Sequence, residues 1–450
     1  MAKRSSLYVC QQCGSSFSKW SGKCDNCGAW NSLVEEAKQV EKKAVVDRSQ
    51  GKVLSVEKIA AVQAGTIGKR IGTGLGQLDE VLGGGLMPGG VVLLAGQPGI
   101  GKSTLLLQLV LSIGAEESVL YISGEESAGQ IRLRAERISK TLPANVSLVA
   151  TTSADDIAAT IGSGEYRLVI VDSMQTVAMA EVASAPGTVS QITNSANIII
   201  RAAKASNTAV VLVGHVTKEG SIAGPKVLEH LVDVVLAFEG DRYGGFKLLR
   251  AAKNRYGSTA EVAILEMAGE GLKEVDNASA SLLAERGKSD GSVVLATMEG
   301  NRPLLVEIQA LVNPTHFGYP KRTASGFDLN RLTLLIAVLE KRTKLNLSDK
   351  DIFINVVGGL RLVDPAADLA VCMAIASAAA ERTLPDDIVV FGEVGLGGEV
   401  RRVASVEPRV REAKKLGFKR AIAPESKDGG SFIVPIKDMR DGLNTYLTKK

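Results

Sequence analysis

The sequence predicts an α/β protein with a parallel-sheet core, a small metal-binding module before it and an α+β domain after it. Strand-like apolar runs alternate with helical stretches over about 65–285, which is typical of βαβ units. A glycine-rich loop follows one of these runs, and two Cys-x-x-Cys pairs lie near the N-terminus. The 450 residues suffice for several domains, and 45% hydrophobic with 23% charged residues excludes a largely disordered chain.

The metal module is predicted over 1–34. Its two cysteine pairs each precede a glycine, and four thiolates match the tetrahedral preference of Zn²⁺. The predicted ligands are Cys10, Cys13, Cys24 and Cys27. A redox dithiol is the alternative for a single pair. We expect Trp20 and Trp30 to pack over this module, since few other apolar groups are available.

Residues 35–64 are charged and polar without an apolar period, and they are predicted to be a linker to the core at 65–285. Its predicted strands are Val91–Ala95, Ser118–Ile122, Leu168–Val171, Ala209–Val213 and Val232–Phe238, with helices over about 103–114 and 127–141. The final domain is predicted over 286–450 and has helices over about 328–344, after Asp364, and over 407–416.

Charge and targeting signals bound the function classes. The net charge of +4 gives no overall sign of a nucleic-acid binder, but the predicted core is net acidic and both flanking domains are net basic. The N-terminus lacks an apolar leader, and no run of 18 apolar residues occurs, so the sequence predicts a cytoplasmic protein without a membrane partner.

The glycine-rich loop fits G-x-x-x-x-G-K-[ST] between an apolar strand and a helical run. In that context backbone N–H groups wrap the phosphates of a nucleotide such as ATP. Lys102 would neutralise the β- and γ-phosphates, and the Ser103 hydroxyl would ligate Mg²⁺. The predicted nucleotide-binding residues of the loop are Gly96, Gln97, Pro98, Gly99, Ile100, Gly101, Lys102, Ser103 and Thr104.

Acidic residues that follow neighbouring strands complete the predicted site. Asp172 ends an apolar strand, where it would hold Mg²⁺ through water; the alternative is a strand-end cap. Glu125 is the favoured base for the attacking water and Glu126 the second choice, against a solvated acidic loop. His215 follows a further strand and would sense the γ-phosphate, although a structural histidine is equally compatible.

Lys253 and Arg255 follow another strand and lie two residues apart, so an extended segment places both side chains on one side. Two cations aimed one way suit a γ-phosphate held by a neighbouring subunit, so Arg255 would be an arginine finger that acts in trans. A basic surface turn is the alternative.

The order of the cysteine module, GQPGIGKST, LYISGEES, LVIVDS, VGHVTK and KNRYG resembles the bacterial RadA (Sms) DNA-repair family over the whole chain. The resemblance implies a RecA-like ATPase core, a hexameric ring, translocation on DNA and a role beside the RecA recombinase. It departs from the family's KNRFG at Tyr256. DnaB-type helicases have a K-x-R pair that acts across the subunit interface. This pair would correspond to Lys253 and Arg255, which favours contact with the nucleotide of a neighbouring subunit.

A RecA-like core would place DNA-contacting loops at 178–194 and 217–226, where Lys218 and Lys226 could touch phosphates. Ordinary surface loops are the alternative. Lys253 could serve nucleotide or DNA.

Residues 286–450 resemble the proteolytic domain of Lon proteases, in which a serine nucleophile and a lysine base act. Those positions correspond to Ala367 and Glu407, so we expect no peptidase activity. Candidate phosphate contacts in this basic domain are Arg401, Arg402, Arg409 and Arg411, against a solvated basic surface. Cys372 is expected in the core of an apolar helix.

Together these features predict an ATP-hydrolysing, hexameric DNA motor that binds single-stranded and branched DNA and promotes branch migration in recombination and repair. Two alternatives stay open: a nucleotide-switched scaffold that binds proteins, and an ATP-dependent Lon-type protease. Binding of single-stranded DNA would favour the motor over the scaffold, and digestion of casein would favour the protease.

Overall fold

The computed structural model describes residues 6–12, 15–37, 58, 68–216, 222–223, 227–240, 245–316 and 318–447. Cys13, Lys218 and Lys226 therefore lie outside the described residues. The chain divides into two compact units, one formed mainly by residues 1–239 and the other mainly by residues 273–450. Within 240–272, residues 249–259 and 268–272 belong to the first unit, and the remaining residues belong to the second. In the described part of the chain, no helix combines the length and the apolarity needed to cross a membrane.

The N-terminal module is a three-stranded antiparallel sheet in the order β2-β1-β3. Its strands are β1 Ser6–Cys10, β2 Ser16–Phe17 and β3 Leu33–Ala37. Cys10, Cys24 and Leu33 form its small core, against which Tyr8 and Phe17 pack.

The expectation that both tryptophans pack over this module is wrong, because Trp20 is 57% and Trp30 is 73% exposed. The cysteines, Leu33, Tyr8 and Phe17 already fill the core, which leaves the two indole rings on the surface.

The first unit continues with a doubly wound α/β arrangement. Its elements are α1 Gly76–Leu82, β4 Val91–Gly96, α2 Lys102–Ile113, β5 Val119–Ser123, α3 Ala128–Ile138, β6 Val146–Ala150, α4 Ala154–Gly162, β7 Leu168–Asp172, α5 Val189–Ser206, β8 Ala209–Val216, β9 Ile222–Ala223, α6 Val227–Leu231, β10 Val234–Gly240 and β11 Phe246–Asn254. The strands predicted from the apolar runs and both predicted helices are confirmed within a few residues.

The parallel strands lie in the order β10-β4-β8-β7-β5-β6. Every residue of β4 and β5 is buried, as expected for a parallel sheet covered on both faces. Strand β8 lies between β4 and β7, and because these strands are parallel, their carboxyl ends lie at one edge of the sheet.

The second unit contains a seven-stranded mixed sheet in the order β16-β17-β15-β14-β18-β21-β22. The remaining elements of the chain are β12 Val262–Ala268, β13 Gly271–Glu274, α7 Ala278–Leu283, β14 Ser292–Glu299, β15 Arg302–Pro314, β16 Arg322–Ser325, α8 Leu329–Thr343, β17 Lys350–Val356, α9 Ala367–Ala379, β18 Ile388–Val390, β19 Glu393–Val394, β20 Val400–Arg401, α10 Val406–Lys415, β21 Arg420–Ala423, β22 Ile433–Pro435 and α11 Met439–Tyr446.

Helix α9 is the central helix of this unit, and nearly all of its residues are buried, including Cys372 as predicted. Helix α8 begins after the cap Asp328, whose carboxylate accepts from the Arg331 N–H, as the sequence predicts. Helix α9 begins at Ala367, slightly beyond the predicted start after Asp364.

Candidate nucleotide and metal sites

The glycine-rich loop connects β4 to α2 at the carboxyl edge of the parallel sheet. Gly99 and Gly101 adopt φ angles of 79° and 115°, a region that disfavours residues with a side chain. At Gly96, a Cβ atom would lie only 2.8 Å from the Phe238 carbonyl oxygen. Gln97, Pro98 and Gly99 are exposed, while Ile100 is buried beneath the loop. The loop therefore presents its backbone to solvent in front of a helix N-terminus, the arrangement that binds phosphate.

Lys102 is 5% exposed, and its ammonium group lies within the curl of the loop. Its Nζ donates to the carbonyl oxygens of Gly96 at 2.8 Å and Gln97 at 3.1 Å. Burial lowers the pKa of Lys102, and the negative charges of Asp172 and Glu125 oppose that effect. The lysine is thus placed where a phosphate chain in the loop would meet a cation.

Asp172 accepts two hydrogen bonds at one carboxylate oxygen. Ser103 donates through Oγ at 3.1 Å, and Tyr121 donates through its hydroxyl at 2.6 Å. Burial and the adjacent Asp172 charge hold the pKa of Tyr121 well above its usual range, so the phenol stays a donor. A carboxylate and a hydroxyl side by side are oxygen ligands of the kind that Mg²⁺ prefers, and the donor set fits that ion.

Glu125 and Glu126 have different surroundings. The Ser173 hydroxyl donates to the Glu125 carboxylate at 2.6 Å, which ties Glu125 to the residue directly after Asp172. Glu126 instead forms an ion pair with Arg134 of α3. Glu125 therefore lies with the loop and Asp172, whereas Glu126 is directed to a helix.

Two further predicted nucleotide-binding residues lie beside the loop. In the register of β4 and β8, His215 pairs with Gly96, the first residue of the glycine-rich loop. Thr104 follows Ser103 in the first turn of α2 and is half-buried.

Lys253 and Arg255 do not join this cluster. Arg255 forms an ion pair with Asp233 at 3.3 Å, and Asp233 also accepts from the backbone N–H of Val91, the first residue of β4. The loop begins at Gly96, the last residue of that strand. With about 3.3 Å per strand residue, the two ends of β4 are about 15–20 Å apart. The cations therefore lie at the opposite edge of the sheet from the loop of the same chain.

The Lys253 ammonium is bound by backbone carbonyls. It donates to Glu229 at 2.7 Å and Val232 at 2.8 Å, at the C-terminal end of α6. Burial and the neighbouring Arg255 lower the pKa of Lys253. The end of a helix is a favourable place for a cation, because its last carbonyls carry partial negative charge.

Asp233 anchors the C-terminal end of β11, where these cations lie, and is not among the predicted site residues. Asp233 is 2% exposed, and its carboxylate contacts Lys204 as well as Arg255. Burial and this carboxylate raise the pKa of Tyr256 to about 12. Asp233 lies within an apolar strand-like run, so its pattern gave no signal. Tyr121, inside the apolar strand β5, was missed for the same reason.

Three of the predicted zinc ligands lie together. The sulfur atoms of Cys10, Cys24 and Cys27 lie within 4.8 Å of one another, and Cys10 and Cys27 are 3.7 Å apart. Gly28, with φ of 75°, allows the turn in which its N–H donates to the Cys24 carbonyl oxygen. Convergent thiols of this kind fit Zn²⁺, and Cys13 is the predicted fourth ligand.

Three family models match the chain. An AAA domain model matches residues 66–221, a rubredoxin metal binding domain model matches 8–35, and a model of subunit ChlI of Mg-chelatase matches 333–427. Similar proteins extend over the whole chain. The DNA repair protein RadA of Halalkalibacterium halodurans is 48% identical over 99% of this chain and 100% of its own length. The RadA proteins of Bacillus subtilis and Pseudomonas aeruginosa are each 47% identical with the same coverage.

The chain belongs to the RadA family of DNA repair proteins.

Membership in the RadA family confirms the resemblance drawn from the sequence, and the fold class is confirmed with it. The chain has a RecA-like P-loop core of an ATPase family, an N-terminal zinc ribbon and a mixed α/β C-terminal part.

In this RadA-family chain, Ala367 and Glu407 occupy the two positions predicted to correspond to the serine and lysine of Lon proteases. Ala367 is fully buried at the start of α9, and Glu407 is exposed and paired with Arg411 at 2.5 Å. The methyl group of Ala367 offers no nucleophile, and the negatively charged Glu407, paired with Arg411, lies where the resemblance to Lon proteases implies a lysine amine.

One predicted DNA contact is wrong. Arg409 is 2% exposed, pairs with Asp364 at 2.7 Å and donates to the Ala296 carbonyl oxygen at 2.6 Å. Its guanidinium is bonded inside the C-terminal unit and cannot reach a phosphate. Arg401, Arg402 and Arg411 are exposed.

Proposed function

We propose that this RadA-family chain is an ATP-driven DNA motor of the DnaB type. In the proposal it forms a hexameric ring, threads single-stranded DNA and drives branch migration of recombination intermediates. The family relation supports a role in DNA repair and the ATPase core supports hydrolysis.

The observation that carries the proposal is the separation of Arg255 from the glycine-rich loop. An arginine that lies at the opposite edge of the sheet cannot serve its own nucleotide, but head-to-tail assembly would bring that edge to the loop of the next subunit. Heterologous contacts of this kind form a ring when the rotation between neighbouring subunits closes on itself. Each site would then combine Lys102 of one subunit with Lys253 and Arg255 of its neighbour.

Within one site, the residues would divide the work. Lys102 and the loop N–H groups would bind the phosphates, and Ser103 with Asp172 would hold Mg²⁺, which neutralises charge on the transferred phosphoryl group. Glu125 would orient and deprotonate the attacking water. His215, paired with Gly96, would sense the γ-phosphate.

Lys253 would couple the nucleotide site of the neighbouring subunit to the predicted DNA loop. Its ammonium is bound to the carbonyls that end α6, and α6 follows the predicted DNA loop 217–226. A nucleotide bound by the next subunit would compete with these carbonyls for the ammonium. The contact that anchors α6 would then weaken when the nucleotide binds and form again when it leaves. Hydrolysis around the ring would thereby shift the DNA loops in turn.

The remaining parts of the chain receive supporting roles in this proposal. The four-part division at 1–34, 35–64, 65–285 and 286–450 would separate the zinc module, the linker, the motor and a basic scaffold without peptidase chemistry. The RecA recombinase is the proposed protein partner, and exposed Arg401, Arg402 and Arg411 are the proposed phosphate contacts of the scaffold.

The test is ATP turnover with and without single-stranded DNA, together with unwinding of forked DNA. The proposal expects DNA to stimulate turnover and the fork to open only with hydrolysable ATP. Turnover that ignores DNA, with no unwinding, contradicts the motor. Binding of protein partners without any single-stranded DNA affinity would favour the nucleotide-switched scaffold instead.

A further inference from the structure

Trp20 and Trp30 form an exposed aromatic pair on the zinc ribbon. They are 57% and 73% exposed, although large aromatic side chains normally bury most of their surface. The two rings lie near the same glycine: a Cβ atom on Gly22 would be 4.0 Å from Trp20 Cη2 and 3.9 Å from Trp30 Cζ3. These two ring atoms are therefore within about 8 Å of each other.

Basic side chains accompany the rings. Lys23 places its ammonium 5.8 Å from the centre of the Trp30 ring, and Lys19 is exposed next to Trp20 in the chain. The whole segment 1–34 has a net positive charge. The surface thus combines flat π-faces with cations, the chemistry that suits a strand of stacked bases on a phosphate backbone.

We propose that Trp20 and Trp30, with Lys19 and Lys23, form a stacking platform for single-stranded DNA. We call these four residues the tryptophan platform. Stacked bases rise about 3.4 Å per nucleotide, so rings separated by up to about 8 Å are within reach of bases one or two nucleotides apart. Aromatic rings stack on any base, so the platform would bind without sequence preference.

The size of the surface favours a strand over a folded protein partner. A stable protein interface takes roughly 800 Å² from each partner around an apolar centre. Here the rings are flanked by Gly22 and by exposed lysines, and Leu33, Tyr8 and Phe17 of the ribbon are used in its core. Base stacking needs only one ring for each base.

The platform deepens the proposed function, since it adds a second DNA contact to the motor. The chain supplies its own probe, because Trp20 and Trp30 are its only 2 tryptophans. Tryptophan fluorescence of the full chain therefore reports this surface alone. The titrant is a thymidine oligonucleotide, and the comparison is an abasic oligonucleotide of equal length, which keeps the phosphates and lacks bases.

We expect the thymidine strand to quench the fluorescence and the abasic strand to leave it nearly unchanged. The double variant Trp20→Ala with Trp30→Ala removes the stacking of two bases, so it should bind the thymidine strand at least about 30-fold more weakly by anisotropy of a labelled strand and should lose its preference over the abasic strand. Tyr319→Ala is the matched control, since Tyr319 is 89% exposed in the other unit. Zinc content and circular dichroism check that the variants fold.

Equal quenching by both strands, or a double variant with unchanged affinity and unchanged preference for bases, overturns the platform. Loss of recombinase binding with intact strand binding would assign the surface to a protein and also overturns it. The motor is judged separately by DNA-stimulated turnover. If DNA stimulates ATP turnover without quenching the tryptophan fluorescence, the platform is overturned and the motor stands. If DNA quenches the fluorescence without stimulating turnover, the motor is overturned and the platform stands.

Discussion

Arg255 lies 3.3 Å from Asp233 at the amino end of the parallel sheet, while Lys102 lies in the loop at its carboxyl end. In the proposed site, Lys102 of one subunit acts together with Arg255 of its neighbour, so this separation would leave a single chain without a complete site.

Lys102→Ala removes the cation from the curl of the loop. We expect ATP turnover to fall at least ~100-fold, because a buried charge that stabilises the transferred phosphoryl group has no substitute there. Steady-state phosphate release measures the effect. Turnover within a few-fold of the parent protein would contradict the assignment of the loop.

Glu125→Gln keeps the side-chain shape and removes the basic carboxylate. We expect turnover to fall by about 10²- to 10⁴-fold while nucleotide binding persists. Glu126→Gln is the matched control, since Glu126 is engaged with Arg134 and should change turnover little. A larger loss in Glu126→Gln than in Glu125→Gln would reverse the assignment.

Asp233→Asn removes the charge that anchors Arg255 and keeps an oxygen for the Val91 N–H. We expect a marked loss of turnover with unchanged nucleotide affinity, because the finger loses its position and the phosphate loop is untouched. Lys204→Ala, which removes the other cation at Asp233, is the control and should leave turnover nearly intact. Equal losses in both variants would indicate a purely structural carboxylate.

Arg409→Met leaves Asp364 without its partner inside the C-terminal unit. We expect a loss of about 3–5 kcal/mol in the free energy of unfolding of that unit, since an unpaired buried charge is costly. Arg411→Ala should cost less than about 1 kcal/mol, because its pair with Glu407 is exposed. Urea denaturation followed by circular dichroism measures both. A stable Arg409→Met protein with weakened DNA binding would restore the predicted DNA contact.

Much of this fold could be predicted from the sequence, because its signals are local. The glycine-rich loop needs a strand before it and a helix after it, and the apolar run before Asp172 is long enough to be a buried strand. The ion pair between Arg255 and Asp233 could not be predicted, since it joins the residue just before β10 to the residue just after β11 through tertiary packing. The exposed tryptophans and buried Arg409 reversed the usual preferences of those residue types. The core of the ribbon is filled without the tryptophans, and Arg409 is buried together with its partner Asp364.

The most direct test of a shared site mixes two inactive variants. Lys102→Ala subunits keep the finger, and Arg255→Ala subunits keep the phosphate loop. When equal amounts are dissociated and reassembled, about a quarter of the interfaces should pair an intact loop with an intact finger by random assortment. We expect ATP turnover to recover toward that fraction of the parent rate. A mixture as inactive as its two components would contradict a site completed by the neighbouring subunit.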